Sequence, residues 1–442
     1  MKYTLQGMIL HLSLLTIITK NQNIMKTYLK ISLLVISILT IQSVVAQDTK
    51  RVLEKEEKNK IVSCIQARLN ASYVDLELSN KMNIQLDKNL ESEKYLEITD
   101  PSEFSIVLTE DLQRISKDLH LKIRFEPHRI AQKKRLMSEE MKLEKEKGMA
   151  MKMAEINYGF TEAKILDGNI GYLNLRVFAD TTYAAGAAAA TMNFLGNTAA
   201  IIIDLRSNGG GGPDMVQLLS SYFLDETPVL LSDFYERETN TKTQLYSLAN
   251  VDGTRNTNKQ VYILTSKNTF SAAEAFTYTL KHLNKATVVG EFTKGGANRT
   301  KRININDEFT ISVPYIESKH PITKTNWEGK GVQPNIKTSQ NEALVYAYID
   351  AINKTVKRNK NRVLNKIGYA YLKEKSIENA IIVFQENTKL FPEDANNWDS
   401  LGEAYFVKGD KENSLKSYKK ALALYPESAS ALAMILKLEN IN

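Results

Sequence analysis

Apolar residues recur at three- and four-residue spacing in the part of the chain that follows residue 50. The segments KIVSCIQARLNASYVDLELSNKMNIQL and DPSEFSIVLTEDLQRISKDL both carry this period, which predicts helices. Asp100 is a suitable N-cap for the second helix, with Pro101 at its first position. The alternating segment LHLKIRFEP predicts a short strand, and the charged residues 129–157 predict an exposed helical connector. We therefore expect a small helical domain over residues 50–128.

Strand and helix patterns alternate between residues 158 and 345. The segments NIGYLNLRVF, AAIIIDLR and QVYILTS predict strands, and TTYAAGAAAATMNFL, PDMVQLLSSYFL and SAAEAFTYTLKHL predict helices between and after them. This order predicts an α/β domain. Its glycine- and serine-bearing turns follow the carboxyl ends of strands, where ligands and catalytic groups tend to lie in such sheets.

The C-terminal part of the chain repeats itself after 34 residues. The recurring positions are Ile367, Gly368, Tyr371, Ala380, Phe384 and Pro392 in the first copy and Leu401, Gly402, Tyr405, Ser414, Tyr418 and Pro426 in the second. This period and these residue types resemble the tetratricopeptide repeat. We expect two repeats and a capping helix over residues 361–442. The repeats would bind a protein partner or pack on the preceding domain.

The N-terminus has the layout of a secretory signal peptide that starts at Met25. Two lysines precede an apolar stretch from Ile31 to Ile41, and small residues follow up to Ala46. We expect cleavage after Ala46, with the first 24 residues as an upstream extension, so residues 1–46 would not form part of the mature fold. The apolar stretch is shorter than the roughly 20 residues that a membrane-spanning helix needs. The protein is expected to be exported to the periplasm or outside, with retention of this segment as a membrane tether as the alternative.

Composition excludes several classes of protein. The net charge of +7 comes from 58 basic and 51 acidic residues that are dispersed along the 442-residue chain, with no basic stripe interleaved with aromatics, so no nucleic-acid partner is expected. Cys64 is the one cysteine, which excludes an internal disulfide, and its apolar helical surroundings predict a core position. The five histidines show no metal-ligand spacing, so we expect no metal and no other cofactor.

Two turns of the α/β domain are candidates for chemistry. Gly209–Gly212 follow a strand in IIIDLRSNGGGGPDM, and such a turn can present backbone amides to an anion or oxyanion. A phosphate loop is excluded because no Gly-Lys-Ser/Thr follows, and a merely flexible turn is the alternative. In TSKNTFSAAEAF, Ser271 and Glu274 match a capping box. A serine at a helix start is equally suited to be a nucleophile, because the free amides stabilise an oxyanion beside it.

These segments together resemble a known family. IGYLNLRVF, AAIIIDLRSNGGGGPDMV, VYILTSKNTFSAAEAFTYTLKHLNKATVVGE, GGA and NWEGKGVQPNI, in this order, resemble the tail-specific (C-terminal processing) serine peptidases. The branch is similar to interphotoreceptor retinoid-binding protein and the tricorn core, which lack an inserted PDZ domain, and the resemblance covers roughly residues 52–340. It implies an α/β core of the ClpP/crotonase type, preceded by a small helical domain and followed here by the all-α repeats.

The resemblance implies a role for several residues. Ser271 is the expected nucleophile, the amides of Ala272 and Gly210 form the oxyanion hole, and Glu328 in NWEGKGV matches an acidic catalytic residue. Two other residues have expected supporting roles. Glu274 caps the helix, and Asp204, with the neighbouring arginine of DLR, fixes the glycine turn.

The general base is where the sequence departs from the family. The position of the lysine found in the processing proteases is Gly296 here, and the position matched to the tricorn histidine is Asn174. The candidates that remain are Lys294, His320 and direct activation by Glu328, because a serine needs a base to become a nucleophile. Loss of activity is the fourth possibility.

Three functions follow from this pattern. The first is a secreted serine peptidase that cleaves polypeptides through an acyl-enzyme on Ser271. The second is a weakly active or inactive protein that binds a hydrophobic ligand or peptide in the same cleft, since fold alone does not fix function. The third is an interaction scaffold built on the repeats.

Overall fold

The computed structural model describes residues 51–134 and 139–440. The predicted signal peptide and upstream extension, residues 1–46, lie outside the described residues. Within the described ranges, no helix combines the length and the apolar character needed to cross a membrane.

Three helices and a strand form the N-terminal domain. They are α1 (Lys55–Ser72), α2 (Leu76–Glu91), α3 (Pro101–Ser116) and β1 (Lys122–Phe125). The α3 helix starts as its sequence predicts, because the Asp100 carboxylate accepts hydrogen bonds from the amides of Ser102 and Glu103. After α3 the chain passes through a left-handed Lys117 and one turn at residues 119–120 before β1 begins. This loop contains Asp118 and His120.

The prediction that Cys64 is a core residue is wrong, because this thiol is exposed. The buried face of α1 is formed by Ile61, Val62, Ile65 and Leu69. Cys64 lies next to that face in sequence but points away from it.

A charged helical segment connects the N-terminal domain to the α/β core. It contains α4 (Pro127–Lys134) and α5 (Glu139–Glu155). Most side chains of α5 after residue 140 are exposed.

A six-stranded sheet forms the centre of the α/β domain. Its strands are β2 (Phe160–Leu166), β3 (Ile170–Leu175), β4 (Ala200–Asp204), β7 (Gln260–Thr265), β8 (Thr287–Gly290) and β11 (Ile336–Lys337). The order across the sheet is β11-β8-β7-β4-β3-β2, and all neighbours are parallel except the antiparallel β2 and β3. The carboxyl ends of β4 and β7 therefore meet at one edge, and the glycine turn and the serine turn follow them.

Helices cover both faces of this sheet. The helices α6 (Thr181–Phe194), α7 (Pro213–Ser221) and α8 (Ala272–His282) lie on one face. The other face packs against α9 (Ala343–Thr355). Both layers are apolar, which explains why the central strands read as continuous hydrophobic runs.

A second, antiparallel sheet joins the N-terminal domain to the α/β core. It contains β1, β5 (Leu230–Glu236), β6 (Thr241–Tyr246), β9 (Arg299–Asn304) and β10 (Phe309–Lys319). The strand β10 pairs with β1, β5 and β9. Because Phe309, Ile311 and Val313 of β10 share one core with the N-terminal helices, the two domains are packed together.

The C-terminal helices form two repeats and a last helix. They are α10 (Lys360–Lys373), α11 (Ile377–Leu390), α12 (Ala395–Lys408), α13 (Lys411–Leu424) and α14 (Ala429–Glu439). The repeated glycines have a packing role: a Cβ on Gly368 would lie 2.4 Å from the Phe384 ring, and one on Gly402 would lie 3.0 Å from the Tyr418 ring. The first repeat packs on the sheet, because Leu364, Ile367 and Val383 belong to the same core as α9. The predicted fold class is confirmed.

Candidate active site

Ser271 lies at the start of α8, directly after the loop that follows β7. Its backbone has φ 57° and ψ −118°, a conformation that a non-glycine residue adopts only under strain. Its amide donates a hydrogen bond of 2.8 Å to the Glu274 carboxylate. Gly210 packs against it so closely that a Cβ there would lie 2.8 Å from the Ser271 Cβ. The surrounding structure therefore holds this serine in a strained turn, which is typical of nucleophiles.

Glu274 is a structural anchor of the serine turn. The side chain is fully buried, and its carboxylate accepts hydrogen bonds from the Thr293 hydroxyl and from the amides of Gly295, at 2.6 Å, and Gly296, at 2.9 Å. Burial raises its pKa, and the hydrogen bonds partly offset that effect. Glu274 therefore ties the start of α8 to the loop 293–296.

The glycine turn lies beside Ser271, and Asn208 holds it in place. The Asn208 side chain donates to the Leu175 carbonyl at 2.9 Å and accepts from the Gly210 amide at 2.8 Å. The Gly210 amide, expected in the oxyanion hole, is thus engaged by this side chain. Gly211 is the glycine that lines the cleft with Ser271 and Ala272. Neither its amide nor that of Ala272 donates a hydrogen bond to another residue of the described chain.

His120, which the sequence reasoning missed, lies beside Ser271. Its Nε2 lies 3.1 Å from the Ser271 Oγ, although the two residues are 151 positions apart. The ring packs on Phe270 with a centroid distance of 4.5 Å, and its backbone amide donates to the Asp118 carboxylate at 3.0 Å. Burial, with a smaller contribution from Lys122, lowers the pKa of His120 to about 4. The imidazole is therefore neutral at physiological pH, the state in which it can accept a proton.

Two carboxyl groups, that of the buried Asp118 and that of the half-buried Glu328, lie next to His120. Atoms of Asp118, His120 and Glu328 all lie within 4.8 Å of one another. One Glu328 oxygen accepts from the amides of Ala297, at 2.6 Å, and Asn298, at 3.1 Å. The other Glu328 oxygen and the His120 Nδ1 are buried and have no hydrogen-bond partner among the described residues. Catalytic hydrogen bonds are often long or poorly aligned in the absence of substrate, so these two atoms are candidates to pair with each other.

The pKa values of both carboxyl groups are raised. For Glu328 burial is the main cause and the neighbouring Asp118 charge comes next; for Asp118 the main cause is burial. Three such groups at this spacing can also coordinate a cation. The contact between His120 and Ser271 instead favours proton transfer between these two residues over cation binding by the three groups.

The other predicted base candidates do not contact Ser271. The Lys294 side chain is exposed, with its Nζ 5.4 Å from the centre of the Phe270 ring. His320 lines the cleft, but its Nδ1 accepts from the Ile322 amide and its ring lies against Tyr278 and His282. The structure therefore brings neither Lys294 nor His320 to the serine, whereas it places His120 in contact with it.

Asn174 and Asp204 lie away from the serine. They pair in register at the ends of β3 and β4 and line a separate polar depression with Tyr172 and Arg206. The Asp204 carboxylate contacts Arg206 and the Tyr172 hydroxyl, at 2.8 Å, rather than the glycine turn. Asn208, rather than Asp204, forms hydrogen bonds that hold the glycine turn. The sequence signal for this residue is the Asn-Gly dipeptide, which is typical of turns.

A cleft with a volume of about 290 Å³ opens beside Ser271. Its wall is mostly apolar and includes Val216, Leu231, Phe234, Leu245, Ala275 and Trp327. Trp327 also donates its indole N–H to the Gly296 carbonyl at 2.9 Å, which fixes the segment that carries Glu328. A strained serine, a neutral histidine and a buried carboxyl beside an apolar cleft form the arrangement found in serine hydrolases.

Comparison with known proteins agrees with this class. The sequence profile of Peptidase family S41 matches residues 169–338, and that of the N-terminal domain of this family in eukaryotic IRBP matches residues 47–157. Tetratricopeptide-repeat profiles match residues 362–394 and 395–428. The chain belongs to peptidase family S41, and the resemblance inferred from its motifs is confirmed.

Individual peptidase relatives share less than a third of their residues with this chain over the aligned regions. A probable CtpA-like serine protease of Staphylococcus epidermidis is 29% identical over 244 residues, which cover 50% of this chain and 47% of the relative. The carboxy-terminal processing protease CtpA of Bacillus subtilis is 24% identical over 212 residues, covering 48% and 44%. The chain thus spans about half the length of the curated relatives it matches. The solved structure of a photosystem II D1 C-terminal processing protease covers 65% of this chain and 94% of its own, with 15% identity and a TM-score of 0.42.

Proposed function

We propose that this protein hydrolyses peptide bonds in polypeptides through an acyl-enzyme on Ser271, with His120 as the general base. The observation that carries the proposal is the 3.1 Å contact between the His120 Nε2 and the Ser271 Oγ. A hydroxyl becomes an effective nucleophile when a positioned neutral base takes its proton. The pKa of His120, about 4, leaves the ring unprotonated at neutral pH, so that its Nε2 has a free lone pair for this proton.

The first half of the reaction forms the acyl-enzyme. The Ser271 Oγ attacks the scissile carbonyl carbon while its proton passes to the His120 Nε2. The amides of Ala272 and Gly211 donate to the resulting oxyanion; one such donor typically contributes about 3 to 4 kcal/mol to the lowering of the barrier. Collapse of the tetrahedral intermediate breaks the C–N bond, and His120 gives its proton to the leaving amine.

The second half releases the product acid. Water loses a proton to the His120 Nε2 as it attacks the ester carbonyl, and the Ser271 oxygen leaves and regains that proton. Glu328 acts by orienting His120 and stabilising the imidazolium that forms twice in the cycle. Asp118 holds the His120 backbone by accepting a hydrogen bond from its amide.

Cleavage of an unstructured polypeptide tests this function. We expect the purified protein to fragment reduced, alkylated casein and Ser271→Ala to lose at least about a thousandfold in rate. The matched control is Ser430→Ala, which removes an exposed hydroxyl in α14. Equal cleavage by the unsubstituted protein and Ser271→Ala, or none by either, would contradict the proposal.

We also propose that the protein acts after export. The support is the signal-peptide layout between Met25 and Ala46. N-terminal sequencing of the protein isolated from cells is expected to begin at Gln47. A mature chain that still begins at Met1 or Met25 would argue against export with cleavage.

A further inference from the structure

Three neighbouring strands present one polar face beside the candidate active site. In the antiparallel register, Lys122 of β1 lies opposite Ser312 of β10, which in turn lies opposite Arg302 of β9. Because side chains alternate along a strand, Ile123 and Ile311 point into the N-terminal core while these three residues share the other face. Adjacent strands are about 5 Å apart, so Lys122 and Arg302 flank Ser312 closely.

Two more cations extend this face. Arg124 follows Lys122 on the same side of β1 and donates to the Ser312 hydroxyl at 2.8 Å. Lys294 approaches from the loop after β8, with its Nζ 5.4 Å from the Phe270 ring on which His120 also packs. We name Lys122, Arg124, Lys294 and Arg302 the basic face. Arg124 and Lys294 both lower the pKa of Lys122, after burial, which agrees with their proximity.

The basic face carries more positive charge than its neighbours neutralise. Glu126 contacts it through Arg302, at 3.3 Å, but is also engaged by Arg129 at 3.2 Å. Lys122 and Lys294 are exposed, and neither forms an ion pair within residues 51–134 and 139–440. An unneutralised group of cations beside a catalytic cleft attracts and orients an anionic part of a ligand.

The position of His120 decides which part of a substrate meets this face. A general base that later protonates the leaving amine must lie on the leaving-group side of the serine. His120 comes two residues before Lys122, and its ring and Lys294 both contact Phe270. The chain that follows the scissile bond therefore passes His120 towards the basic face, whose four residues do not belong to the lining of the apolar cleft.

We propose that the basic face binds a carboxylate within the first few residues after the scissile bond, so that cleavage is selective for acidic leaving segments. This inference rests on the proposed peptidase function. The carboxylate has two possible sources, an Asp or Glu side chain and the α-carboxylate of a substrate that ends shortly after the cleavage point. Both present the same charge and geometry to lysine and arginine.

Cleavage profiling with a peptide mixture tests the selectivity. Wild-type protein is incubated with a proteome-derived peptide library that was prepared without trypsin, and cleavage sites are identified by mass spectrometry. Only sites that are absent with Ser271→Ala are counted. We expect Asp and Glu to be enriched about threefold or more at the first three positions after the bond, in line with the modest strength of exposed charge pairs. The double variant Lys122→Glu/Lys294→Glu should lose this enrichment and gain one for Lys and Arg. The matched control Lys416→Glu, an exposed lysine of α13, should keep the wild-type profile.

A second comparison separates the two sources of the carboxylate. One cleaved peptide is synthesised in variants that have either Glu or Gln at the first three positions after the scissile bond. Each variant ends at the third of these positions, with either a free or an amidated C-terminus. If kcat/KM is about five- to tenfold higher for the Glu peptide than for the Gln peptide, the side chain is the source of the carboxylate. If it is higher by the same factor for the free end than for the amidated end, the source is the α-carboxylate. In both cases the difference should shrink at high salt, where exposed charges are screened.

The outcomes distinguish this inference from the function on which it rests. Ser271-dependent cleavage without acidic enrichment, or with enrichment that survives the double charge reversal, overturns the basic face and leaves the peptidase intact. Cleavage that does not depend on Ser271, or none at all, overturns both.

Discussion

At the scale of single residues, the site combines groups that favour chemistry over stability. Ser271 has a strained backbone, and the neighbouring carboxyl groups of Asp118 and Glu328 have raised pKa values. A carboxyl whose pKa is raised in the folded protein destabilises the fold at pH above its ordinary pKa, because the unfolded chain ionises more readily. This cost is present near neutral pH and disappears as the pH falls through the ordinary range.

The Glu328→Gln substitution is expected to separate stability from activity. Glutamine can still accept from the Ala297 and Asn298 amides, but it removes a buried charge next to Asp118. We expect the free energy of unfolding at pH 8 to rise by about 1 to 3 kcal/mol while peptidase activity is lost. Thermal unfolding at pH 5 and pH 8 checks the sign: the gain should be larger at pH 8. If the variant is less stable than wild type at pH 8, the ionised Glu328 side chain does not destabilise the folded protein.

At the scale of elements, two turns after neighbouring strands build the serine side of the site. Gly211 has φ 145°, and a Cβ there would lie 2.1 Å from the Phe178 carbonyl oxygen. Gly209 has open space at the corresponding place, with nothing within 4 Å. The two glycines of the same turn therefore differ sharply in what they tolerate.

This difference gives a matched pair of substitutions. We expect Gly211→Ala to shift the turn, lower peptidase activity at least about tenfold and cost about 1 to 3 kcal/mol of stability, because an L-residue is strained there and meets backbone. Gly209→Ala is expected to keep both within measurement error. Steady-state kinetics and thermal unfolding of the two variants decide the matter. Similar values for both would mean that the turn does not form the oxyanion site.

The sequence predicts those parts of the site that local patterns determine. Period and glycine content locate the strands, the glycine turn and Ser271, because each depends on neighbours within a few residues. His120 could not be found in this way. It lies at the end of the helical domain, 151 residues before Ser271, and its local signal is only a polar residue before a short strand. The pairing of β1 with β10 brings it to the serine, and such long-range pairing has no mark in the local sequence.

At the scale of the whole molecule, the first repeat is part of the support of the peptidase sheet. Leu364 and Ile367 of α10 pack in one core with Ile352 of α9 and with Ile170 and Tyr262 of the sheet. Lys366 also pairs with Asp167 at 2.6 Å, next to the turn between β2 and β3. The repeats are therefore packed on the α/β domain through this face.

Truncation of one buried side chain in the first repeat is expected to destabilise the α/β domain. Leu364 is fully buried, so we expect Leu364→Ala to cost about 2 to 5 kcal/mol. Loss of peptidase activity and of near-UV signal should occur at the same, lower urea concentration. Leu432→Ala, at a side chain that is 48% exposed in α14, serves as the control and should change little. Repeats that unfold separately while peptidase activity persists would contradict this coupling.

The pairing of His120 with Ser271 is tested most directly by the rate at which a fluorophosphonate modifies Ser271. The reagent needs an activated serine but no peptide contacts. We expect His120→Ala to slow modification at least about a thousandfold, and Lys294→Ala and His320→Ala to slow it far less. His128→Ala, which removes an exposed histidine of α4, should react like wild type. Unchanged labelling of His120→Ala, or a larger loss in Lys294→Ala, would contradict the assignment of His120 as the base.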